Sequence, residues 1–357
     1  MNNILESRIS KVKQALKVKN TDAFLVTKAE NKFYISGFSS SNYYILLTES
    51  KNYLLTDFRY IEAAKALSDT FEIVRIDNEY TALKFIKEKN FDKLGIEYKS
   101  ITFDFYNELK EKSKIVTTIS CDNIIDEIRT IKEIWEIEKI TKAAEIANKG
   151  FIHILDFIKV GVSEKQIAME LEFFLKKNGA DALSFDTIIA SGKNGSLPHA
   201  IPSNKKVEFG DFVTMDFGVL LDHYCSDMTR TICVGRVNEK QKEVYNIVLT
   251  AQESALSKIK VGIETSYLDS VARDIITDAG YGEYFGHGLG HGVGLEIHEA
   301  PTLNQSSVET IKANMLVTIE PGIYIPDGFG VRIEDLAIVG ESDIIILTKV
   351  DKKLIII

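Results

Sequence analysis

The sequence predicts two domains, of which the first belongs to the α/β class, and three observations support this prediction. The chain has 357 residues, and 45% of them are hydrophobic, which is enough to bury two cores. Short β-rich runs alternate with helical segments up to Cys121, where the pattern changes to longer helices. All six histidines and all five prolines lie beyond that point. We therefore expect one domain at residues 1–125 and a second domain, which carries the chemistry, at residues 126–357.

The N-terminal part begins with an amphipathic helix. Its apolar residues recur every three or four positions in a charged background, at Leu5, Ile9, Val12 and Leu16. A signal peptide would instead have an unbroken apolar core. The β-rich runs that follow are DAFLVT, YILLTE, NYLLTD, FEIVRI, KLGIEY and IVTTIS. Strands of this kind with helices against them form an α/β domain.

Two helices are predicted at the start of the second part. The first follows CDNIIDEIRTIKE and has apolar residues at helical spacing, which are Ile137, Ile140, Ala144, Ala147, Phe151 and Ile154. The second begins at a capping box from Ser163 to Gln166, in which each residue satisfies a backbone donor of the other. Its apolar face continues through Ile167, Leu171 and Phe174.

Charge and cysteine content exclude several classes of function. The net charge is −9 and basic residues form no run, so we expect no nucleic-acid partner but a small, cationic or zwitterionic substrate. No stretch approaches the roughly 18 apolar residues of a membrane span. The three cysteines, Cys121, Cys225 and Cys233, form no CxxC pair, which indicates a reducing, cytoplasmic location.

The stretch HGLGHGVGLEIHE, from His287 to Glu299, contains three of the six histidines. His287 and His291 have the spacing of a helical zinc motif, but each glycine costs a helix about 1 kcal/mol relative to alanine. The glycines also lack the GxGxxG spacing of nucleotide-binding loops. We expect a strand or loop, with a half-buried strand in which Val293, Leu295 and Ile297 alternate with Glu296 and His298. Solvated histidines on a glycine-rich turn are the alternative, although such clustering favours a metal or catalytic site.

Two predicted hairpins each bring a pair of carboxylates together. Asp216 and Asp227 are equidistant from Leu221–Asp222, and Glu320 and Glu334 are equidistant from the turn at Asp327. Directly opposed carboxylates repel unless a cation lies between them. Acids pointing into water are the alternative for either pair alone. Arg230 and Arg332 lie near the pairs as partners able to orient them. Four acids and a histidine suit two divalent ions.

Several motifs together resemble those of the pita-bread metallopeptidases, and more narrowly those of the prolidase and aminopeptidase P group. The motifs are PHAIPSNKKVEFGDFVTMDFG, YCSDMTRTICVG, GHGLGHGVGLEIHEAP, LVTIEPGIYIP and GVRIED. The resemblance implies a creatinase/prolidase-like α/β domain at residues 1–125, an α+β pita-bread catalytic domain at residues 126–357, and a homodimer.

The resemblance also implies roles for individual residues. The ligands of two divalent ions would be Asp216, Asp227, His291, Glu320 and Glu334. Manganese would be preferred at such an oxygen-rich site, and cobalt or zinc could substitute. His287 and His298 would line the substrate pocket, where His298 would also have a catalytic role, while His199 would help to stabilise the tetrahedral intermediate. Glu320 would carry a proton to the leaving nitrogen, and Arg332 would orient the acids and assist proton movement.

The implied activity is hydrolysis of the Xaa-Pro bond at the N-terminus of small proline-containing peptides. Thr302 stands where some prolidases have an arginine for the dipeptide carboxylate, so we expect aminopeptidase P activity, with a strict Xaa-Pro dipeptidase as the alternative. A methionine aminopeptidase and a creatinase-like hydrolase share the architecture. A non-catalytic peptide- or protein-binding member of the fold is the remaining alternative.

Overall fold

The computed structural model describes residues 2–113, 115 and 117–357 of the chain. The chain divides into two compact units, Met1–Arg129 and Thr130–Ile357. Among the described helices, none combines the length and the hydropathy needed to cross a membrane.

The first unit is a six-stranded mixed sheet with helices. Its elements are α1 (Asn2–Val18), β1 (Ala23–Val26), α2 (Ala29–Ser36), β2 (Tyr43–Thr48), β3 (Asn52–Thr56), α3 (Ile61–Ala64), β4 (Glu72–Arg75), α4 (Ala82–Lys89), β5 (Lys93–Ile96), α5 (Phe103–Lys112), β6 (Thr117–Ser120) and α6 (Ile124–Arg129). The strand order is β4-β3-β2-β1-β5-β6, antiparallel in the β1–β2–β3 meander and parallel elsewhere. Each predicted β-rich run contains a strand; Val116, in the last run, lies outside the described residues.

The hydrophobic pattern explains how this unit is held together. The predicted face of α1 is buried, since Leu5, Ile9, Val12 and Leu16 are each at most 5% exposed. Every residue of β1 is buried, as expected for a central strand covered on both faces. The helices α4 and α5 are capped by the preceding residues, Thr81 and Thr102, whose hydroxyls accept a backbone N–H of the first turn.

The second unit combines four long helices with short, mainly antiparallel strands. Its elements are α7 (Ile134–Phe157), α8 (Glu164–Lys177), β7 (Ala182–Leu183), β8 (Ile188–Ser191), β9 (Phe212–Phe217), β10 (Val219–Leu221), β11 (Tyr224–Cys225), β12 (Met228–Cys233), α9 (Glu239–Lys258), α10 (Thr265–Asp278), β13 (Gly290–Gly292), β14 (Glu299–Leu303), β15 (Leu316–Ile319), β16 (Gly322–Tyr324), β17 (Gly330–Arg332), β18 (Asp335–Val339) and β19 (Ile344–Ile346). Both predicted helices, α7 and α8, are confirmed, and so is the capping box of Ser163 and Gln166.

Four small sheets carry the strands of this unit. Their strand orders are β11-β10-β7, β12-β9-β8, β14-β13-β15-β18-β19 and β16-β17. Helices α9 and α10 belong to one apolar core with the strands from β14 to β18. Helices α7 and α8 belong to another with β8, β9 and β12. Each of these two groups of strands therefore packs against a pair of helices, which makes the strands rigid supports for side chains.

The register of the first hairpin differs from the prediction. Asp216 lies opposite Thr229, so it is not directly opposed to Asp227. The turn is centred one residue later than expected because Asp222 and His223 both adopt positive φ, at 50° and 71°, as a two-residue hairpin loop requires. Asp227 lies two residues before Thr229 and stays on the same face. The two acids are thus diagonal neighbours.

The register of the second hairpin is as predicted. Gly322 lies opposite Arg332 in the β16–β17 pair, and Ile319 lies opposite Asp335 in the β15–β18 pair. The same register therefore continues through both pairs, and it places Glu320 opposite Glu334. Asp327 occupies the turn with a φ of 55°.

The strand predicted at residues 293–298 is wrong. These residues form an irregular turn between β13 and β14, which pair antiparallel with a register shift after His291. Gly294 donates its N–H to the Glu296 carbonyl across the turn. A Cβ at Gly294 would lie 2.4 Å from Glu299 Oε1, so this turn lies against the side chain of the first residue of β14.

A buried ion pair ties β12 to β18 next to Glu334. Arg230 Nη2 lies 2.8 Å from Asp335 Oδ1, and both side chains are at most 1% exposed. Gln252 Nε2 and Thr348 Oγ1 donate to the same carboxylate at 2.9 and 2.6 Å. Arg230 thus orients Asp335, which was not one of the four predicted acids.

Asp335→Asn is expected to destabilise the second unit by about 3–5 kcal/mol, because it leaves the Arg230 guanidinium buried without a counter-charge. Urea denaturation followed by far-UV circular dichroism measures the change. Asp274→Asn, on the exposed side of α10, is the matched control. Equal midpoints for the two variants would contradict the prediction.

Candidate metal centre

The strands of the second unit bring the predicted ligands to one place. Asp216 is in β9, His291 is in β13, and Asp227 precedes β12. Glu320 follows β15 and Glu334 precedes β18. Each ligand therefore lies in a strand or directly beside one, which limits its backbone freedom.

Three of these residues converge closely. One ligand atom from each of Asp227, His291 and Glu334 lies within 4.8 Å of the others. His291 Nε2 is 3.2 Å from Glu320 Oε1 and 3.6 Å from Asp227 Oδ2. Asp216 is next to this group and receives a 2.6 Å hydrogen bond from Arg332 Nη2 to its Oδ2.

Burial and mutual repulsion set the protonation of the acids. Burial raises the pKa of Asp227 well above its usual range, and the charges of Glu334 and Asp216 raise it further. Burial likewise raises the pKa of Glu334, to which Glu320 and Asp216 add. Burial also acts to raise the pKa of Glu320, but the hydrogen bond and charge of His291 outweigh it and lower that pKa to about 2. The raised pKa values mean that the surroundings do not offset the repulsion among these acids, so Asp227 and Glu334 are held in the protonated form more readily than ordinary carboxyl groups.

Two of the other predicted histidines lie around His291. The His298 ring is 4.5 Å from the His291 ring in an edge-on arrangement, and the residue itself is exposed. Burial is the largest cause that lowers the pKa of His298, and the nearby charges of His291 and His199 lower it further. His298 is therefore a neutral imidazole at neutral pH. His199 is exposed and follows Pro198, whose carbonyl accepts a hydrogen bond from Arg332 Nη1 at 3.3 Å.

His287 has a defined tautomer. Its Nδ1 is 2.7 Å from the Gly288 carbonyl, which can only accept, so Nδ1 carries the proton. Its Nε2 is 2.9 Å from the Tyr324 hydroxyl and accepts from it. The same hydroxyl accepts from Arg332 Nη1 at 2.8 Å. Burial lowers the pKa of His287, which agrees with the neutral form.

Comparison with known proteins decides the family. A model described as metallopeptidase family M24 matches residues 138–341, and one described as the creatinase/prolidase N-terminal domain matches residues 8–131. The chain belongs to metallopeptidase family M24. The predictions of a metallopeptidase, and of an α/β N-terminal domain followed by an α+β pita-bread domain, are confirmed.

Several M24 relatives match over nearly the whole length. An Xaa-Pro dipeptidase from Pyrococcus horikoshii is 44% identical over 99% of this chain and 99% of its own length. The structure of an Xaa-Pro dipeptidase from Bacillus anthracis is 42% identical, with a TM-score of 0.95, and covers 99% of this chain and 100% of that one. The structure of an X-Pro aminopeptidase from Thermotoga maritima is 37% identical, with a TM-score of 0.87, over 96% of this chain and 100% of that one.

The donor atoms of this M24 chain fit divalent metal ions. Asp216 Oδ1, Asp227 Oδ1 and Glu334 Oε1 are buried, and none has a hydrogen-bond partner among the described residues. Buried anionic oxygens without partners are costly, and a cation would satisfy all three. With His291 and Glu320 they make a hard, oxygen-rich donor set, which suits divalent ions better than a thiolate site would.

Two threonines support the predicted ligands, and sequence analysis did not single them out. Thr229 Oγ1 donates to Glu334 Oε2 at 2.7 Å and accepts from Arg332 Nε at 3.1 Å. Thr318 Oγ1 donates to Glu320 Oε1 at 3.2 Å. The sequence could have predicted these threonines, because each one is two residues from a predicted ligand and therefore lies on the same face of the strand.

Close backbone contact explains one glycine of the histidine-rich stretch. A Cβ at Gly290 would lie 2.0 Å from the Thr318 carbonyl oxygen in the neighbouring strand β15. Only glycine allows this approach, which places His291 beside Thr318 and Glu320. The His291 N–H donates to Thr318 Oγ1 at 3.0 Å, so the strand contact also orients the histidine backbone.

Proposed function

We propose that this M24 chain is an Xaa-Pro dipeptidase, a metallo-exopeptidase that hydrolyses dipeptides whose second residue is proline. The observation that carries the proposal is full-length similarity, at 42–44% identity, to proteins named Xaa-Pro dipeptidase. Those relatives favour the dipeptidase over the aminopeptidase P activity that we expected from Thr302.

Aminopeptidase P activity is the second candidate, and the residue at position 302 supports it. Thr302 is exposed and lies opposite His291 in the β13–β14 pair, and an uncharged side chain there offers no counter-charge to a dipeptide carboxylate. The similarity to an X-Pro aminopeptidase, at 37% identity, points the same way.

We propose that two divalent ions, with manganese preferred and cobalt or zinc able to substitute, are held by the predicted ligands. These are Asp216, Asp227, His291, Glu320 and Glu334. When bound, such ions supply the positive charge that makes hydroxide available near neutral pH and polarises the peptide carbonyl. The partnerless carboxylate oxygens support this assignment.

Protein groups around the ions move the proton and hold the substrate. We assign proton transfer to Glu320, whose Oε1 lies 3.2 Å from His291 Nε2 within the ligand cluster, where a carboxylate can accept a proton and deliver it to the proline nitrogen. Arg332 keeps Asp216 in position through the 2.6 Å hydrogen bond from Nη2. Because Arg332 binds Oδ2 of Asp216, the other carboxylate oxygen, Oδ1, stays available to a metal ion.

We assign the remaining histidines to the substrate. His287 and His298 line the pocket, and as neutral imidazoles they bind polar groups of the peptide without adding charge. His199 donates to the oxygen of the tetrahedral intermediate. Its exposed position beyond Pro198, which Arg332 contacts, is compatible with contact to an incoming peptide.

The wider setting is also proposed. We assign residues 1–125 to a creatinase/prolidase-like domain and residues 126–357 to the catalytic domain of a cytoplasmic homodimer. The three free cysteines are buried thiols, which suits a reducing compartment. Light scattering coupled to gel filtration tests the dimer.

A paired assay tests the substrate class. Protein stripped of metal and reloaded with manganese is expected to cleave an Xaa-Pro dipeptide with at least about tenfold higher kcat/KM than the matching Xaa-Pro-Yaa tripeptide. The reason is that a dipeptidase binds the free carboxylate that the tripeptide lacks at that position. Chromatography that measures the released N-terminal residue over time gives both rates.

The other outcomes of this assay are equally informative. Faster cleavage of the tripeptide would replace the proposal by aminopeptidase P activity. Failure to cleave either peptide, with metal bound in stoichiometric amount, would favour the non-catalytic member of the fold. An Xaa-Ala dipeptide is the matched control for the requirement for proline.

A further inference from the structure

The segment that carries His287 has little structure of its own. Residues 285–289 lie between a short 3-10 helix and β13 and belong to no helix or strand. Glycines flank the histidine on both sides, and a Cβ at Gly286 would meet no atom within 4 Å. A backbone of this kind is flexible unless groups from elsewhere bind it.

Arg273 of helix α10 binds this segment on both sides of Gly286. Its Nη1 donates to the Phe285 carbonyl at 2.8 Å, and its Nη2 donates to the His287 carbonyl at 2.7 Å. The guanidinium carbon also lies 4.2 Å from the centre of the Phe285 ring. The rigid fork of the guanidinium therefore spans two carbonyl groups, one on each side of Gly286, that no strand partner satisfies.

Asp269, one helical turn earlier, holds Arg273 in this position. Its Oδ2 accepts from Arg273 Nε at 2.7 Å, and its Oδ1 accepts from Nη2 at 2.9 Å. Oδ1 also accepts the Leu289 N–H at 3.0 Å. Asp269 is fully buried, so the carboxylate and the guanidinium form a desolvated, charge-assisted pair.

The imidazole of His287 is thus fixed from two directions. The α10 pair binds the backbone at residues 285, 287 and 289, and Tyr324 binds the ring at Nε2. His291, four residues later, lies in β13 and is held by strand pairing instead. Loss of the α10 contacts therefore acts on His287 and leaves the strand that carries His291 paired.

We propose that Asp269 and Arg273 are positioning residues that fix His287 in the substrate pocket of this enzyme. The inference rests on the proposed function, because it takes His287 to contact the peptide. Among the described residues, no hydrogen bond joins Arg273 to a predicted metal ligand, whereas Asp269 is linked to Glu320 through Leu289, whose carbonyl accepts the Glu320 N–H at 2.8 Å. Loss of the Arg273 contacts is therefore expected to weaken catalysis with the metal content unchanged.

Arg273→Lys is the first test, since lysine keeps the charge beside Asp269 but has no fork to span two carbonyls. We expect kcat/KM for the Xaa-Pro dipeptide to fall on the order of tenfold, as a displaced binding group does. Metal content should equal that of wild type. Hydrogen exchange measured by mass spectrometry should show faster exchange in residues 285–289. Arg236→Lys, at an exposed arginine, is the matched control.

A double-mutant cycle with His287→Ala separates positioning from general damage. If Arg273 acts through His287, then Arg273→Lys lowers kcat/KM in the wild-type background and has no further effect in the His287→Ala background. An equal fall in both backgrounds would overturn the proposal. Unchanged exchange in residues 285–289 would also overturn it, whatever the activity.

A second variant guards against misfolding. Asp269→Asn keeps the size of the side chain and an oxygen for the Leu289 amide, but it weakens the hold on Arg273. A smaller fall in the same direction is expected, and no fall would count against the pair. Failure of the wild-type enzyme to cleave either proline peptide would overturn the proposed function alone, since the exchange measurement still tests whether the pair orders the segment.

Discussion

Replacing Asp227 by asparagine is expected to abolish metal binding and to lower kcat/KM by at least about 10³-fold, the scale set by losing a principal source of electrostatic stabilisation. The substitution preserves shape and removes one negative charge. Asp227 Oδ1 is buried without a hydrogen-bond partner among the described residues, so we expect this oxygen to bind a metal cation. Mass spectrometry of bound metals, after dialysis and reloading, measures the loss directly.

The same variant is expected to be as stable as the metal-free wild type, or more stable. The raised pKa of Asp227 means that its charged form is disfavoured in the folded protein, so ionisation costs stability as pH rises above the value of an unfolded aspartate. Asparagine removes that cost. Thermal unfolding in chelator at pH 7 compares the two proteins, with Asp274→Asn as the exposed control. Full activity with stoichiometric metal in Asp227→Asn would remove this residue from the metal site.

Glu320→Gln is expected to lower kcat by about 10²–10⁴-fold, the usual range for removing a general acid-base group. Glutamine keeps the size and one oxygen of the side chain, but it has no carboxylate to accept a proton. Glutamine also replaces an anionic oxygen donor by a neutral amide oxygen, so metal affinity should fall as well. Steady-state kinetics at saturating manganese separate the two effects, because added metal restores occupancy and leaves the proton transfer impaired.

Glu253→Gln, at an exposed position of α9, is the control for this experiment. It is expected to match wild type in kcat and in metal content. If Glu320→Gln regains wild-type kcat at high manganese, then Glu320 is a ligand only and another group must carry the proton.

The two hairpins show what a sequence can and cannot predict about register. Pro326, Asp327 and Gly328 form a turn signal that allows one centre, and the opposition of Glu320 and Glu334 followed from it correctly. The other hairpin has Asp222 and His223 at its tip, and neither residue marks a turn as clearly as glycine does. An error of one residue in the turn therefore shifted the expected partner of Asp216 by two.

Other misses have a related cause. The alternation from Val293 to His298 has the period of a strand, but the close contact of Gly294 with Glu299 depends on tertiary structure. Arg273 and Tyr324 contact His287 from distant parts of the chain, and no local pattern reports such contacts. The convergence of Asp227, His291 and Glu334 was easier to anticipate, since the acids lie in apolar hairpins and the histidine lies in a glycine-rich stretch, and their role as metal ligands stays a prediction.

The distribution of the ligands along the chain has a consequence for biogenesis. The predicted ligands extend from Asp216 to Glu334, so this whole stretch must be synthesised, and both hairpins must be formed, before an ion can reach the full predicted set of donors. Metal affinity is then an indicator of whether the second unit has folded completely, because chains that stop or misfold before β18 lack Glu334 in place. A cell that limits free metal would thereby leave incomplete chains without the ion, and the protein would acquire hydrolytic capacity only as its last strands assemble.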